Sequence, residues 1–580
     1  MKHLIVFFLL LGLCFSCKDS TEKTSYDFTT TFETSNGTQT GTYHEVIHFW
    51  EDLSDAYSQI NMQEVGETDS GFPLHVITLN PDGNFNFDDV KQNKRIILIN
   101  NGIHPGESDG VDATMMIYRD IVQGKIDLPE KTVLATIPVY NIGGSLNRNT
   151  GTRANQNGPE EYGFRGNARN YDLNRDFIKS DTKNARAFAK VFHLVQPDVF
   201  IDNHVSNGAD YQYVLTHLFT QHNKLGGELG AFIEDTMRPA LEQKLEEKDW
   251  IITPYVNVFR STPEAGFSQF MDYPRYSSGY TTLFNTLGMM VETHMLKPYK
   301  PRVEGTYELM KSMIEITEEH HQTIADLRAN AWKDIVKQDS YAVNWTVDTT
   351  KTSTLSFKGY EPEYIPSEVT GATRLKYNRD KPFIKDVTYR NHFVSTKEVS
   401  IPKAYVIPQG WHNVLELLKL NNIEMMQLET DSTIIVESYR IAHYKTLQQA
   451  YEGHYQHYGV ELEKNSSEIT FNKGDYIIST NQFGIRYLLE TLEPEAPDSF
   501  FNWNFFDTIL QQKEYFSTYV FEDTAKTLLE NDADLKAEFE TKKQNDEAFA
   551  ANWYLQLAWI YKQSNHYEEA HMQYPVYRIN

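Results

Sequence analysis

Residues 95–110 read RIILINNGIHPGESDG, an unbroken apolar run from Ile96 to Ile99, then Asn100-Asn101-Gly102, then a turn that sets Pro105 and Gly106 between His104 and Glu107. A short apolar run bounded by turn residues predicts a strand buried on both faces. A turn at the carboxyl end of such a strand is where open α/β sheets place their ligand sites. Working outward, apolar runs at Leu74–Leu79, Thr132–Tyr140, Asp198–Ile201 and Leu287–Val291 predict further strands beside Arg95–Ile99. Helical spacing predicts helices over Val111–Val122, Thr182–Val195 and Leu225–Glu247. An amphipathic opening helix is expected within Tyr43–Ile60, through Val46, Ile47, Trp50, Leu53 and Tyr57, and a closing one from about Glu304 to Val336. Strands alternating with helices predict an α/β domain over 43–338, a mixed and largely parallel sheet flanked by helices.

After Asp339 the texture changes. Thr- and Tyr-rich stretches of weak alternation at Tyr341–Phe357, Val387–Val394 and Ala404–Ile407 predict strands, followed by helical patterns at His412–Asn421, Phe483–Leu492 and Thr524–Lys543. Residues 339–580 are therefore read as a C-terminal accessory region, β-rich and of α+β type, and no repeat of fixed period runs through it.

Composition narrows the function. The chain has 580 residues, with 80 acidic against 54 basic side chains and a net charge of −26, which argues against nucleic acid as a partner because phosphate binding needs a basic surface. An apolar fraction of 40% with 13% aromatics is too rich for a disordered chain. Both cysteines, Cys14 and Cys17, lie in the first seventeen residues, so any metal in the body must be held by His, Asp or Glu. Lys2, the apolar run Leu4–Leu13 and the Ser16-Cys17 pair predict a signal peptide over 1–16. The Ser-Cys ending resembles the bacterial lipoprotein cleavage box and implies lipidation of Cys17, with 17–42, rich in Ser and Thr, as a flexible tether. The expected location is outside the cytoplasm, anchored by lipid to the cell envelope and facing the periplasm or the surface, or else plainly secreted. No other segment reaches about 18 uninterrupted apolar residues.

His-x-x-Glu occurs three times, at His48/Glu51, His104/Glu107 and His566/Glu569. The first and third read as solvated helical pairs; only the middle one stands at a strand end. The run PDVFIDNHVSNGADY (197–211) places His204 where Val199–Ile201 gives out, and LGMMVETH (287–294) leads into Glu292. Two histidines and a glutamate make the ligand set of an open catalytic zinc site, leaving Glu292 free as a base. Taken singly, Glu292, Arg165 and Arg175 read as ordinary salt-bridging groups and His204 as a hydrogen-bonded histidine. His217, His222, His454 and His457 lack a carboxylate partner in a comparable setting, and His294 stands beside Glu292.

In the order HPGE, RGNARNYDLNRDF (165–177), DNH and VETH, the chain resembles the zinc metallocarboxypeptidases of the carboxypeptidase A/B superfamily, over roughly Tyr43 to Ile324. The most specific element is Arg165, ten residues before the arginine of Asn174-Arg175. The resemblance implies one zinc ion per chain on His104, Glu107 and His204, with Asp172 orienting the His104 ring. It implies Asn174 and Arg175 as the clamp on a peptide's terminal carboxylate, and Arg165 as the group that stabilises the oxyanion. The reaction implied is hydrolysis of C-terminal peptide bonds through zinc-bound water, with Glu292 as general base. Tyr273, Tyr276 and Tyr280 are all candidates for a substrate-facing tyrosine. Two other readings stand beside this one: a related zinc amidase acting on small N-acyl amino acids, resembling aspartoacylase or succinylglutamate desuccinylase, and a cell-surface peptide-binding module without turnover. No feature identifies a partner protein.

Overall fold

The computed structural model describes residues 26–259 and 261–580. The signal peptide, Cys17 and the first part of the expected tether lie outside the described residues. Among the described residues no helix is long and apolar enough to cross a membrane.

In chain order the strands of the first part are β1 (Ile60–Glu67), β2 (Pro73–Leu79), β3 (Arg95–Asn100), β4 (Thr132–Ile137), β5 (Val199–Ser206), β6 (Leu215–Phe219), β7 (Ile252–Pro254), β8 (Phe267–Ser268) and β9 (Leu287–His294). Eight of them form one mixed sheet in the order β1-β2-β4-β3-β5-β9-β6-β7. Its centre, β4-β3-β5-β9, is parallel, whereas β1, β2 and β6 join antiparallel. β3 and β5 are buried along their whole length, the property of strands covered by helices on both faces. β3 runs on through a helix at Asp109–Val122 to β4 on one side, while its other neighbour β5 comes from much later in the chain. The strand order thus reverses between β3 and β5, and a crevice opens at their carboxyl ends.

The helices follow their sequence signals. Helix Tyr43–Ala56 opens with a capping box between Thr42 and Glu45 and buries Val46, Trp50 and Leu53, one face at intervals of three and four. Helix Lys183–Val195 is capped by Thr182, buries Ala187, Phe188, Val191, Phe192 and Val195 against the sheet, and stops at left-handed Gln196. The helix expected over Leu225–Glu247 is present from Gly227 to Glu246, with one wider, π-type turn at Ile233–Met237 inside it and a short separate helix His222–Leu225 before it. β1, β6 and β7 carry too little alternation to be read from sequence.

Two expectations are corrected here. The described part of the presumed tether, 26–42, is packed: Phe28 and Phe32 are buried, Thr31–Thr34 forms a capped turn, and Glu33 pairs with Arg119. Its Ser and Thr residues act as caps, while its few aromatics find the core, Phe28 against Tyr57 and Phe32 against Tyr299. His204 does not stand where its strand gives out, because pairing with β9 carries β5 on to Ser206.

The second part begins after the helix at His321–Val336 with β10 (Ser340–Val347), the long antiparallel hairpin of β11 (Ser353–Pro366) and β12 (Thr373–Arg390), and β13 (Phe393–Ser400). A six-stranded sheet that includes Ala404–Ile407 and the hairpin Ser432–Thr446/His457–Phe471 follows, and then helices, so the region is β-rich and α+β as expected. It has small apolar clusters of its own, around Phe521 and Phe539 and around Val436, but its largest core is shared with the first part. One apolar cluster runs from Ile96, Phe188 and Phe284 through Tyr487 and Leu488 to Trp503. Phe284 stacks on Tyr487 at 5.7 Å between centroids, Arg486 donates to the Leu225 carbonyl and the Asn285 side chain, and β8 pairs with β12. Trp503 is fully buried, with the cations of Lys179 and Arg275 lying over its ring. Trp503→Ala should therefore destabilise the whole chain by about 3–5 kcal/mol. Urea unfolding followed by circular dichroism checks this; a loss below about 1 kcal/mol, or separate unfolding of the two parts, would contradict a shared core.

Candidate active site

The turn after β3 closes with the Glu107 N–H donating to the His104 carbonyl at 2.7 Å, Pro105 and Gly106 forming its corner. A Cβ at Gly106 would stand 2.3 Å from Cδ of Arg153, so glycine at this corner lets Arg153 lie against the turn. The effect is to bring His104, Glu107 and His204 together, all about 3% exposed. His104 Nδ1 and His204 Nδ1 each lie 3.2 Å from Glu107 Oε2. The outer nitrogens are spoken for: His104 Nε2 meets Asp172 Oδ1 at 3.0 Å and His204 Nε2 meets Asp202 Oδ2 at 2.9 Å.

This donor set fits zinc. Ligands at about 2.0–2.1 Å on a tetrahedral centre lie about 3.4 Å apart, close to the separations seen. His104 Nδ1 is buried without a hydrogen-bond partner, as a ligand atom would be. Both outer nitrogens face carboxylates, which fixes the tautomer that leaves Nδ1 free.

Electrostatics agree. Burial works to raise the Glu107 carboxyl, but the neighbouring His104, Arg153 at 2.9 Å and the hydrogen bond with His204 hold it well below the usual carboxylate range. Burial works to lower His204, yet Asp202, Glu107 and Glu292 push it well above its ordinary value. The same negative field favours any cation where the two Nδ1 atoms and Glu107 converge. Burial likewise opposes the charge on Asp172, and His104, Arg165 and Arg175 override it, driving its carboxyl far down.

Glu292 sits on β9 directly opposite His204 in the register. Burial, with the Glu107 charge assisting and His204 opposing, pushes its carboxyl up to about 7. Together with His104, Glu107, His204, Arg165, Asn174 and Arg175 it lines a cavity of about 260 Å³. Asp172 caps the short turn Leu173–Arg175, accepting from the Asn174 N–H, and its other oxygen binds Arg165 at 2.8 Å. Every residue expected at the site is therefore gathered at one crevice, with Asp172 just behind the lining.

The structure also sorts the candidates left open. Tyr276 lines the cavity, its ring 4.6 Å from the Arg175 guanidinium. Tyr273 donates instead to Asn344 and Tyr280 to Asn421. His294 turns to the Ala209 carbonyl. His48 and Glu51 are an exposed helical pair, 3.7 Å apart. His217, His222, His454 and His457 do have carboxylate partners, Glu242, Glu234, Asp181 and Asp507.

Sequence reading missed Asp202, Arg153 and Tyr255. Asp202 had a signal: two residues before His204 on a strand, it must share that face. Arg153 lies in a loop and Tyr255 just after β7, so only the fold brings them in.

Fold and site together define a metal-dependent hydrolase of the mixed α/β class. Residues 46–194 match the zinc carboxypeptidase family, a stretch that holds His104, Glu107 and the Arg165–Arg175 block. Carboxypeptidase 2 of Trichophyton rubrum is 21% identical over 428 residues, covering 70% of this chain and 72% of that one. Among solved structures, a metallo-carboxypeptidase from Burkholderia cenocepacia aligns with 17% identity and a TM-score of 0.35 over 48% of this chain and 69% of that one. One from Pseudomonas aeruginosa aligns with 12% identity and a TM-score of 0.36 over 49% and 69%. Over residues 46–194 the chain carries a zinc carboxypeptidase domain. His204 and Glu292 lie beyond the matched stretch and join it through the pairing of β3, β5 and β9.

A carboxyl raised above its ordinary value is protonated, and useless as a base, until the pH passes that value. For the zinc-loaded protein kcat/KM should rise about tenfold per pH unit along an acid limb, levelling near pH 7 or somewhat below, since a neighbouring dication draws the Glu292 proton off earlier. A profile flat between pH 4 and 8, or one falling as pH rises through that range, would rule Glu292 out.

Proposed function

We propose that the chain is an exported carboxypeptidase that hydrolyses the last peptide bond of substrates with a free C-terminus, using Glu292 as its general base. The observation that carries this reading is Arg175. It lines the cavity beside Glu292, and among the described residues it meets the Asn174 carbonyl and the Tyr276 ring face and forms no ion pair with a carboxylate. A guanidinium held beside a reactive centre, near Asp172 but in ion-pair contact with no carboxylate, suits a carboxylate brought by the substrate. Leu218, Met290 and Phe270 line the same cavity, and its acidic groups, Glu107 and Glu292, are both committed, which favours an apolar terminal side chain.

A zinc ion on His104, Glu107 and His204 would polarise the scissile carbonyl and lower the pKa of a water to about 7. Arg175 and Asn174 hold the terminal carboxylate, so the last peptide bond lies over Glu292. Glu292 takes a proton from the attacking water as its oxygen adds to the carbonyl carbon. Arg165 donates to the carbonyl oxygen as charge develops there. When the carbon–nitrogen bond breaks, Glu292 returns the proton to the departing amine.

Glu292→Gln should lower kcat by at least about 10³-fold while the protein still binds one zinc per chain. Wild type should shorten peptides with free ends, preferring terminal Leu or Phe to Lys, and leave amidated ones intact, with activity lost to chelator and restored by zinc. Cleavage of N-acyl amino acids but not peptides would transfer the reading to an amidase. Zinc and peptide binding without product would leave only a binder.

Export and anchoring rest on Lys2, the run Leu4–Leu13 and Ser16-Cys17. In a bacterial host the full chain should fractionate with membranes and incorporate labelled palmitate, and Cys17→Ser should abolish the label. An unlabelled soluble product retaining residues 1–16 would refute the anchor.

A further inference from the structure

We infer that Glu452, contributed by the C-terminal region, is a positioning residue for the zinc site: it fixes the backbone of Asp172, and through Asp172 the His104 ring and the Arg165 guanidinium. The inference rests on the metal site proposed above and gives residues 339–580 a part in it.

Tyr451–His454 form a tight turn, closed by the Tyr451 N–H donating to the His454 carbonyl at 2.7 Å and the reverse bond at 3.0 Å. Both central residues are left-handed, Glu452 with φ +47 and Gly453 with φ +81. Turns of this kind take Asn-Gly or Gly-Gly, because a longer side chain in the left-handed region costs roughly 1–2 kcal/mol. Gly453 is suited to its place also by contact: a Cβ there would meet the Tyr171 hydroxyl at 2.7 Å, so the turn presses on the loop that carries Arg165, Asp172, Asn174 and Arg175. Glu452 has no such excuse from the turn itself. What a glutamate adds over an asparagine is reach, and Oε2 of Glu452 accepts the Asp172 N–H at 2.9 Å.

Asp172 is where that reach matters. One of its oxygens accepts from His104 Nε2 and from the Asn174 N–H, the other from Nε and a terminal nitrogen of Arg165. A small rotation of its backbone would shift a metal ligand and the oxyanion donor together. The loop's far end is tied to the same turn by His454, whose Nε2 meets Asp181 at 2.7 Å. Beneath the turn, Arg275 lies over the rings of Tyr451 and Trp503 and pairs with Asp498. A strained residue held firmly by its surroundings, its carboxylate aimed at the hub of the site, is the pattern expected where strain serves function.

The test uses the full chain and sets stability against site geometry. Glu452→Asn suits the turn better but cannot reach Asp172; Glu452→Gln keeps both the reach and an acceptor oxygen. We expect Asn to leave the melting temperature unchanged or raised while weakening zinc affinity, measured by chelator competition, about tenfold and lowering kcat/KM on a free-ended peptide by a similar factor. Gln should stay within about threefold of wild type on both. Wild-type zinc affinity and kcat/KM in the Asn variant would overturn the inference, as would a Gln variant as impaired as Asn. Loss of melting temperature in parallel with zinc in the Asn variant would also overturn it, since the role would then be structural. If wild type binds zinc and turns over while the Asn variant matches it, only Glu452 is refuted. A wild type that binds no zinc refutes the site and this inference together.

Discussion

The site depends on keeping one buried carboxylate charged. Glu107 is about 3% exposed, and leaving such a group ionised and unpaired in the interior would cost several kcal/mol. Its surroundings answer atom by atom: Arg153 meets Oε1, while the Val205 N–H and both histidine Nδ1 atoms meet Oε2. None of these partners is near Glu107 in sequence except His104. Val205 and His204 come from β5, and they reach Glu107 only because β5, not β4, lies on that side of β3. The reversal of strand order is thus what makes the charge tolerable, and the charge in turn gathers the ligand set.

The sheet explains part of the rigidity and the C-terminal region explains more. Arg165, Asp172, Asn174 and Arg175 sit on a loop with little regular structure, a three-residue turn capped by Asp172. Such loops are mobile unless tied down. Here Lys179, fully buried, binds Asp176 and Asp181 and lies over Trp503, and His454 holds Asp181 from the other side. The loop that carries Arg165, Asp172, Asn174 and Arg175 is therefore braced between two parts of the chain.

Legibility in the sequence follows the same division. Where chemistry and local pattern coincide, as in the apolar run of β3 with its His104–Glu107 turn, or β9 with Glu292, both the element and the site residue could be read. Asp172, Asn174 and Arg175 were legible only as a resemblance, because a loop motif has no periodicity to place it. Arg153, Tyr255 and Glu452 were not legible at all, since each reaches the site from a segment whose own pattern is a loop or turn. The segment 26–42 misled for a different reason: its many Thr residues lower the mean hydropathy and mask three aromatics, of which Phe28 and Phe32 are buried and seat it.

The two histidines, alike in how they face Glu107, are backed in unequal ways. Behind His204, Asp202 sits within the sheet and is held by Asn100 on β3 and by the Ser277 hydroxyl, all buried. Behind His104, Asp172 sits on the loop, shares its charge with exposed Arg165, and is fixed through its backbone by a residue some 280 positions away. A ligand backed by the sheet can move only if the core moves. A ligand backed by the loop can be shifted by whatever shifts Arg165 or the turn at Tyr451–His454. On the proposed reading substrate would engage that same loop through Asn174 and Arg175, so peptide binding and the alignment of His104 would share one support, with His204 as the fixed reference point for both.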